Sequence, residues 1–230
     1  MKLINIIKKL YPFDYSIAGQ GNDIAIKEFM KLLQFKIHSF KSGLKHNGWK
    51  IPHSWQLKKG LIKDGKNIIF DAKKKKFAVP IQSSSFSGKI NYEKLIDHIF
   101  ISKKNKNATP YNWTGLYRAQ KPSWGFCMSE NELKKIKKKR YKIEISSSIK
   151  KSKMKVLEYT LKGKSDETII INAHNCHPYQ ANDDISGCAV GIKLFQDLKK
   201  IKNRKFTYTL LIAPELYGPI FWLNKINKKQ

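Results

Sequence analysis

An α/β fold, a mixed sheet flanked by helices beside a small mostly-β unit, is predicted by three features of this 230-residue chain. Residues 168–172 are an almost wholly apolar run, as expected of a strand buried on both faces. The helical pattern after Ser186 places Val190, Leu194 and Leu198 on one stripe. Residues 208–213 are a second apolar run. Strand, helix and strand in this order read as a right-handed crossover unit.

The remaining elements follow in chain order. Residues 1–45 read as helical, with Asn22 as an N-cap candidate. Ile26, Phe29, Met30 and Leu33 then recur at helical spacing, after a Gly-bearing turn at 16–21. Residues 46–125 change character, because Pro52, Gly60, Gly65, Pro80, Gly88 and Pro110 keep breaking short apolar patches. Residues 68–70 and 77–79 look like strands and 92–100 like one helix, so the stretch reads as small, irregular and mostly β. Residues 126–230 read as the first half of an α/β core, with alternating strands at 141–145 and 155–161. Gly218 and Pro219 open a final helix carrying Ile220, Phe221, Trp222 and Leu223. A single crossover unit is little for a layered α/β domain, so the carboxyl-terminal part of the fold is expected to be missing.

The net charge of +29 would suit a nucleic-acid or anionic-surface binder. Arginine usage argues against that reading. Of 46 basic residues, only Arg118, Arg140 and Arg204 are arginine, whereas nucleic-acid readers rely on the bidentate guanidinium. The lysines are scattered, with runs at 73–76 and 137–139, so no specific nucleic-acid partner is expected. Weak, salt-sensitive adhesion to polyanions is expected on electrostatic grounds. Cys127, Cys176 and Cys188 are odd in number and form no CxxC pair, which favours a reducing cytoplasm over a disulfide framework. Residues 1–10 lack the apolar core and cleavage site of a signal peptide. No run reaches the roughly 18 apolar residues of a membrane span, so a soluble cytoplasmic protein is expected.

The chemistry concentrates between the two apolar runs. His174-Asn175-Cys176-His177-Pro178, then Asn182-Asp183-Asp184-Ile185-Ser186-Gly187, join a strand end to a helix start. Two imidazoles and two carboxylates in one loop are the donors a zinc-type cation prefers. The carboxyl end of a sheet strand is where open α/β folds place their sites. The ordinary alternatives are helix capping for either aspartate and a hydrogen-bonded loop histidine. Glu215 stands at the carboxyl end of the next strand. Parallel neighbours end on the same edge, so Glu215 would lie near the loop and could act as general base; a surface glutamate is the alternative. Cys176 could be a soft ligand or a nucleophile. Cys127 and Cys188 read as small buried apolar residues.

The runs 169–178 and 181–187 resemble the aminopeptidase-like family of bacterial zinc hydrolases formerly classed as a domain of unknown function, distant relatives of leucyl aminopeptidase-type zinc exopeptidases. Further motifs extend the resemblance over almost the whole chain: Tyr11-Pro12 with 16–19, Trp49 to Trp55 around Ile51-Pro52, Pro110-Tyr111, and Trp124-Gly125-Phe126-Cys127. The resemblance implies a zinc-exopeptidase-like α/β fold with the small domain inserted after the first helix. It implies that His174 matches the strand-end metal histidine, Asp183 the metal aspartate and Glu215 the general base. His177, in the family's Cys-His-Pro signature, competes with His174 as ligand, and the sequence does not choose between them. Two departures matter. Cys176 stands where the wider exopeptidases have an aspartate, and Leu216 replaces a second glutamate, so one zinc ion rather than a pair is implied.

The resemblance thus implies a metal-dependent hydrolase of amide or peptide bonds, with a small peptide or amide substrate. The family's later ligands and carboxyl-terminal domain are expected beyond Gln230. A truncated, inactive remnant, or one half of a split enzyme with a binding role only, is therefore the competing reading.

Overall fold

The structure, a computed structural model, describes residues 1–112 and 123–227; Arg118 and residues 228–230 lie outside them. The strands are β1 (Lys36–Lys41), β2 (Lys45–His46), β3 (Trp49–Lys50), β4 (Ser54–Asp64), β5 (Asn67–Asp71), β6 (Phe86–Ile90), β7 (Ile99–Phe100), β8 (Phe126–Cys127), β9 (Tyr141–Lys150), β10 (Lys153–Leu161), β11 (Thr168–His174) and β12 (Thr207–Ala213). The α-helices are α1 (Leu3–Leu10), α2 (Gln20–Leu32), α3 (Tyr92–Ile96), α4 (Glu130–Leu133), α5 (Ser186–Leu198) and α6 (Tyr217–Asn227). The chain forms two units, one from Met1–Ser54 with Lys151–Gln230, the other from Trp55–Lys150.

The first unit is built on a four-stranded mixed sheet in the order β1-β10-β12-β11. β1 and β12 each pair antiparallel with β10, while β11 pairs parallel with β12. Side chains alternate across a strand, so each face has its own helices. Leu157, Leu161, Leu210 and Ile212 share a core with Phe29 of α2, Leu10 of α1 and Ile192 and Phe195 of α5. On the alternate positions, Glu158 of β10 takes a hydrogen bond from Trp222 of α6, and Phe40 of β1 meets Phe221 with ring centroids 6.1 Å apart. The β2–β3 hairpin turns through Asn47 (φ 47°) and Gly48 (φ 77°), the left-handed pair that a two-residue hairpin needs. It sets Trp49 edge-on to Tyr217 at 5.0 Å.

A buried polar trio locks α6. Glu158 Oε2 accepts from Trp222 Nε1 at 2.8 Å and lies 2.8 Å from His38 Nε2. Burial lowers the pKa of His38, more than the neighbouring Glu158 carboxylate restores it. Burial works against the charge on Glu158, but the Trp222 indole and then the His38 imidazole outweigh it and hold the carboxyl below its usual range.

The second unit carries the sheet β5-β4-β9-β6. Ile62, Phe70, Leu95, Phe126, Tyr141 and Ile143 form its core. Trp124 stacks between Phe86 and His98, at centroid distances of 4.3 and 3.7 Å.

The structure departs from the sequence expectations at several points, each traceable to pairing or packing. Residues 1–45 are not helical throughout: β1 buries His38 and Phe40 at period two and pairs with β10. Asn22 sits inside α2, whose N-cap is Gly19. Residues 77–79 are a turn entered through Phe77 at φ 63°, a left-handed conformation that lies outside the extended region of a regular strand. The helix expected over 92–100 stops at Ile96, and residues 99–100 pair with β8. Residues 141–145, read as part of the α/β core, belong to β9, which pairs with β6 in the other unit. That unit spans 55–150 rather than 46–125. β11 ends the sheet among the described residues, so Ile169 and Ile170 are 41% and 47% exposed. On α5, Val190 and Leu194 face outward, and the buried stripe is Cys188, Ala189, Gly191, Ile192 and Phe195.

Candidate functional site

The β11–β12 register brings two chain segments to one point. His174 pairs with Ala213 at the carboxyl ends of both strands, so Glu215 lies two residues past the point where His174 stands. Main-chain contacts close the joint: Asn175 N donates to Ala213 O at 3.3 Å, and Glu215 N donates to Cys176 Sγ at 3.2 Å. Asn22 Nδ2 braces the same loop by donating to Asn175 O at 2.9 Å, while Asn22 Oδ1 accepts from Ser16 N at 2.8 Å.

The two aspartates divide their work. Asp184 accepts from His174 N and Gly187 N, both at 3.1 Å. It therefore ties the end of β11 to the start of α5 and satisfies N–H groups the helix leaves open. A Cβ on Gly187 would lie 2.2 Å from Asp184 Oδ1, so a side chain here would displace the Asp184 carboxylate from its place. Asp183 instead reaches both imidazoles: Oδ1 lies 3.1 Å from His174 Nε2 and Oδ2 lies 3.2 Å from His177 Nδ1. His177 Nδ1 is also 3.2 Å from Asp183 O. The imidazoles meet edge-on, with centroids 5.0 Å apart. Glu215 Oε2 stands 3.7 Å from His177 Nε2. His174, His177, Asp183 and Glu215, expected to converge from the sequence, are thus neighbours. The capping role anticipated for an aspartate falls on Asp184.

Burial grades across the cluster. Cys176 and His177 are buried, His174 is largely buried, and the Asp183 side chain is 59% exposed. The site is therefore anchored on one side and open on the other. Burial pushes the Cys176 thiol up to about 12, against the opposing Glu215 N–H. Asn175 Oδ1 is buried with no hydrogen-bond partner among the described residues, a costly state for an acceptor. Leu216, next to Glu215, holds φ 60°, and Tyr179, next to the Cys-His-Pro segment, holds φ 54°. Left-handed backbone at non-glycine residues concentrates at functional sites.

Two overlapping donor sets offer zinc-type ligands. His174, Cys176, His177 and Glu215 keep one ligand atom each within 4.8 Å of one another. Asp183 joins the same histidines by separate oxygens, Oδ1 to His174 Nε2 and Oδ2 to His177 Nδ1, so with the two imidazoles it makes an alternative set. The two-nitrogen, one-carboxylate set also leaves a position open, as catalytic zinc requires. Cys176, open in the sequence as a soft ligand or a nucleophile, stands in the first of these sets; its contact with Glu215 N is a product of the fold.

Comparison with known proteins follows the same lines. A family profile described as a domain of unknown function, DUF4910, matches residues 4–230. A Clostridium acetobutylicum protein described as a polysaccharide biosynthesis protein with an aminopeptidase-like domain is 29% identical over 229 residues, covering 99% of this chain and 52% of the relative. The crystal structure of a protein from the same organism described as a peptidase superposes with a TM-score of 0.83 at 28% identity, over 99% of this chain and 53% of that one. The zinc aminopeptidase BSAP from Bacillus subtilis superposes with a TM-score of 0.59 at 11% identity, over 97% of this chain and 65% of its own. That last likeness is one of fold alone. The chain spans about half the length of the Clostridium proteins it matches.

Proposed function

Because the chain belongs to the family described as a domain of unknown function, DUF4910, and its strand-end cluster offers zinc-type donors beside the Glu215 carboxylate, we propose that it is a metal-dependent, aminopeptidase-like hydrolase of amide or peptide bonds. The observation that carries this reading is the gathering at two strand ends of His174, Cys176, His177 and Glu215, with ligand atoms within 4.8 Å of one another, and of Asp183, whose two oxygens lie 3.1 Å from His174 and 3.2 Å from His177. A single zinc ion bound by His174, His177 and Asp183 would polarise the scissile carbonyl and acidify the attacking water. The chain's own residues supply the rest. Asp184 and Asn22 hold the loop so that the imidazoles and Asp183 stay convergent. Glu215 takes the proton from the water onto its carboxylate and returns it to the leaving nitrogen. Leu216, the next residue, is apolar and holds no second ion. The open side at Asp183 admits a small peptide or amide. A cytoplasmic setting belongs to the same reading, supported by three free, buried thiols at Cys127, Cys176 and Cys188.

The test is elemental analysis of the purified chain, with aminoacyl-amide turnover followed before and after chelation. About one equivalent of zinc and chelator-sensitive turnover are expected; turnover that survives full metal removal would sink the reading. Cobalt substitution then separates the donor sets. Ligation by Asp183 predicts visible ligand-field bands without a sulfur-to-cobalt charge-transfer band, whereas Cys176 ligation produces one. A binding role without turnover is the second reading, favoured by the half-length match to the Clostridium relatives. Stoichiometric zinc with no detectable hydrolysis would select it.

A further inference from the structure

The unit formed by Trp55–Lys150 holds a second concentration of charge. Lys89, Ile90, Asn91, Lys94 and Arg140 line a cavity of about 330 Å³. The β6–β9 register explains how they meet. Lys89 pairs with Lys142 and Ile90 with Tyr141, so Asn91 and Arg140 follow where the ladder ends. Asn91 then caps α3, accepting from Lys94 N at 3.2 Å, and this turn brings Lys94 back to the same hollow.

Cations gathered this way repel one another, and like charges opposite each other in an antiparallel pair are destabilising. At six other lysines of the unit a carboxylate relieves the repulsion. Lys59, Lys63 and Lys142 share Glu144, Lys75 pairs with Glu132, Lys134 with Glu130 and Lys139 with Asp64. The side chains of Lys89, Lys94 and Arg140 have no ion pair or hydrogen bond among the described residues, and no carboxylate lines the cavity. Arg140 is also set apart by type. Only three of the 46 basic residues are arginine, and Arg204 is engaged with the main-chain carbonyls of Lys162, Leu198 and Ile201. A guanidinium fork matches a phosphate oxygen pair as lysine does not.

The geometry points to a binding site for a small phosphorylated molecule, its phosphate gripped by Arg140 between Lys89 and Lys94. The site is independent of the hydrolase reading. It differs from the attraction of a +29 surface for any polyanion in being saturable and confined to three side chains.

The experiment is calorimetric titration of the full chain with inorganic pyrophosphate at about 0.15 M salt, where diffuse attraction is screened, with inorganic phosphate as a parallel probe. The variants are Arg140→Gln, the pair Lys89→Ala/Lys94→Ala, and the pair Lys73→Ala/Lys74→Ala. The last removes equal charge from exposed positions of the same unit, outside the cavity. Saturable binding weakened at least tenfold by the first two and less than twofold by the third is the expected result. Equal weakening in all three, binding indifferent to Arg140→Gln, or no saturable binding of either probe overturns the proposal. All five substituted side chains are exposed, so unchanged melting curves will show that lost binding is not lost fold.

Discussion

Strands β11 and β12 are parallel neighbours that both read as apolar runs, yet the molecule treats them differently. β12 is buried at every position of Thr207–Ala213 except Tyr208, whereas β11 leaves Ile169 and Ile170 half in solvent. Each nevertheless delivers a candidate functional group at its carboxyl end. β12 does so by being buried along its length, flanked by β10 and β11. β11 does so by being pinned at its tip. Asp184 binds the His174 N–H, Asn22 binds the Asn175 carbonyl, and Cys188 Sγ donates to His174 O at 3.3 Å. A side chain can thus be held in position either by burying its strand or by bracing its last residue.

The largest effects should come from separating what the two tips contribute. Glu215→Gln, on the β12 side, removes the proton acceptor but none of the three proposed ligands. Turnover should fall about 100- to 10,000-fold while bound zinc stays near its original level. His174→Ala, on the β11 side, should remove zinc and turnover together. Steady-state kinetics beside metal analysis distinguish the two outcomes. If Glu215→Gln also loses zinc, the glutamate belongs among the ligands and the division between the tips is wrong.

Stability should separate the strands next. Leu210 of β12 is fully buried and lies against α5, where a Cβ on Gly191 would come within 2.7 Å of it. Leu210→Ala should cost about 2–5 kcal/mol through lost contacts and a residual cavity. Ile170→Ala on β11, at 47% exposure, should stay within about 0.5 kcal/mol. Urea unfolding of both variants checks this, and a large loss at Ile170 would show that β11 is held along its length after all.

Much of this contrast could be read from the residues, and the part that could not has a physical cause. The donors at 174, 177 and 183 lie within ten residues, between a strand pattern and a helix pattern, so local sequence suffices to group them. Glu215 joins them because parallel register follows from one crossover helix. Sheet order is different in kind. That β11 ends the sheet at one edge, while β1 pairs with β10 at the other across more than a hundred residues, is set by long-range pairing that no local pattern encodes. The phase of α5 was missed for a related reason: Val190 and Leu194 match a core stripe by spacing, but α5 turns Cys188, Ile192 and Phe195 inward against Leu210 and Ile212. The division between Asp183 and Asp184 was also hidden, since adjacent carboxylates are equivalent until the backbone aims them.

The pin at the β11 tip carries a smaller prediction. Asp184→Ala strips partners from the His174 and Gly187 N–H groups at once and should cost about 1–2 kcal/mol. Its sharper readout is metal affinity, because it loosens the residue that presents an imidazole. A fall in zinc affinity beyond that of Ile170→Ala would place the control of β11 at its end, as the geometry suggests; equal affinities would break the comparison.

The smallest effect lies in the His38–Glu158–Trp222 trio, which anchors α6 directly after Glu215. Folding lowers the pKa of His38 from 6.5, so the folded state favours the neutral imidazole. Well above pH 6.5 neither state binds the proton and His38 adds no pH dependence. As pH falls below 6.5 the unfolded chain takes up the proton first, and stability drops until the folded-state pKa is passed. Glu158, lowered from 4.5, acts in a separate window: its contribution is complete above pH 4.5 and is lost as pH falls through the folded value. Lys36 and Lys225 face His38 and reinforce its neutrality. Unfolding free energies for wild type and His38→Gln should therefore run parallel above pH 7 and diverge below 6.5, with wild type losing more. A wild type that instead gains on His38→Gln as pH falls below 6.5 would mean that folding favours the charged imidazole. In that case α6, and with it the β12 tip, would be anchored by a genuine ion pair rather than by a neutral hydrogen bond to Glu158.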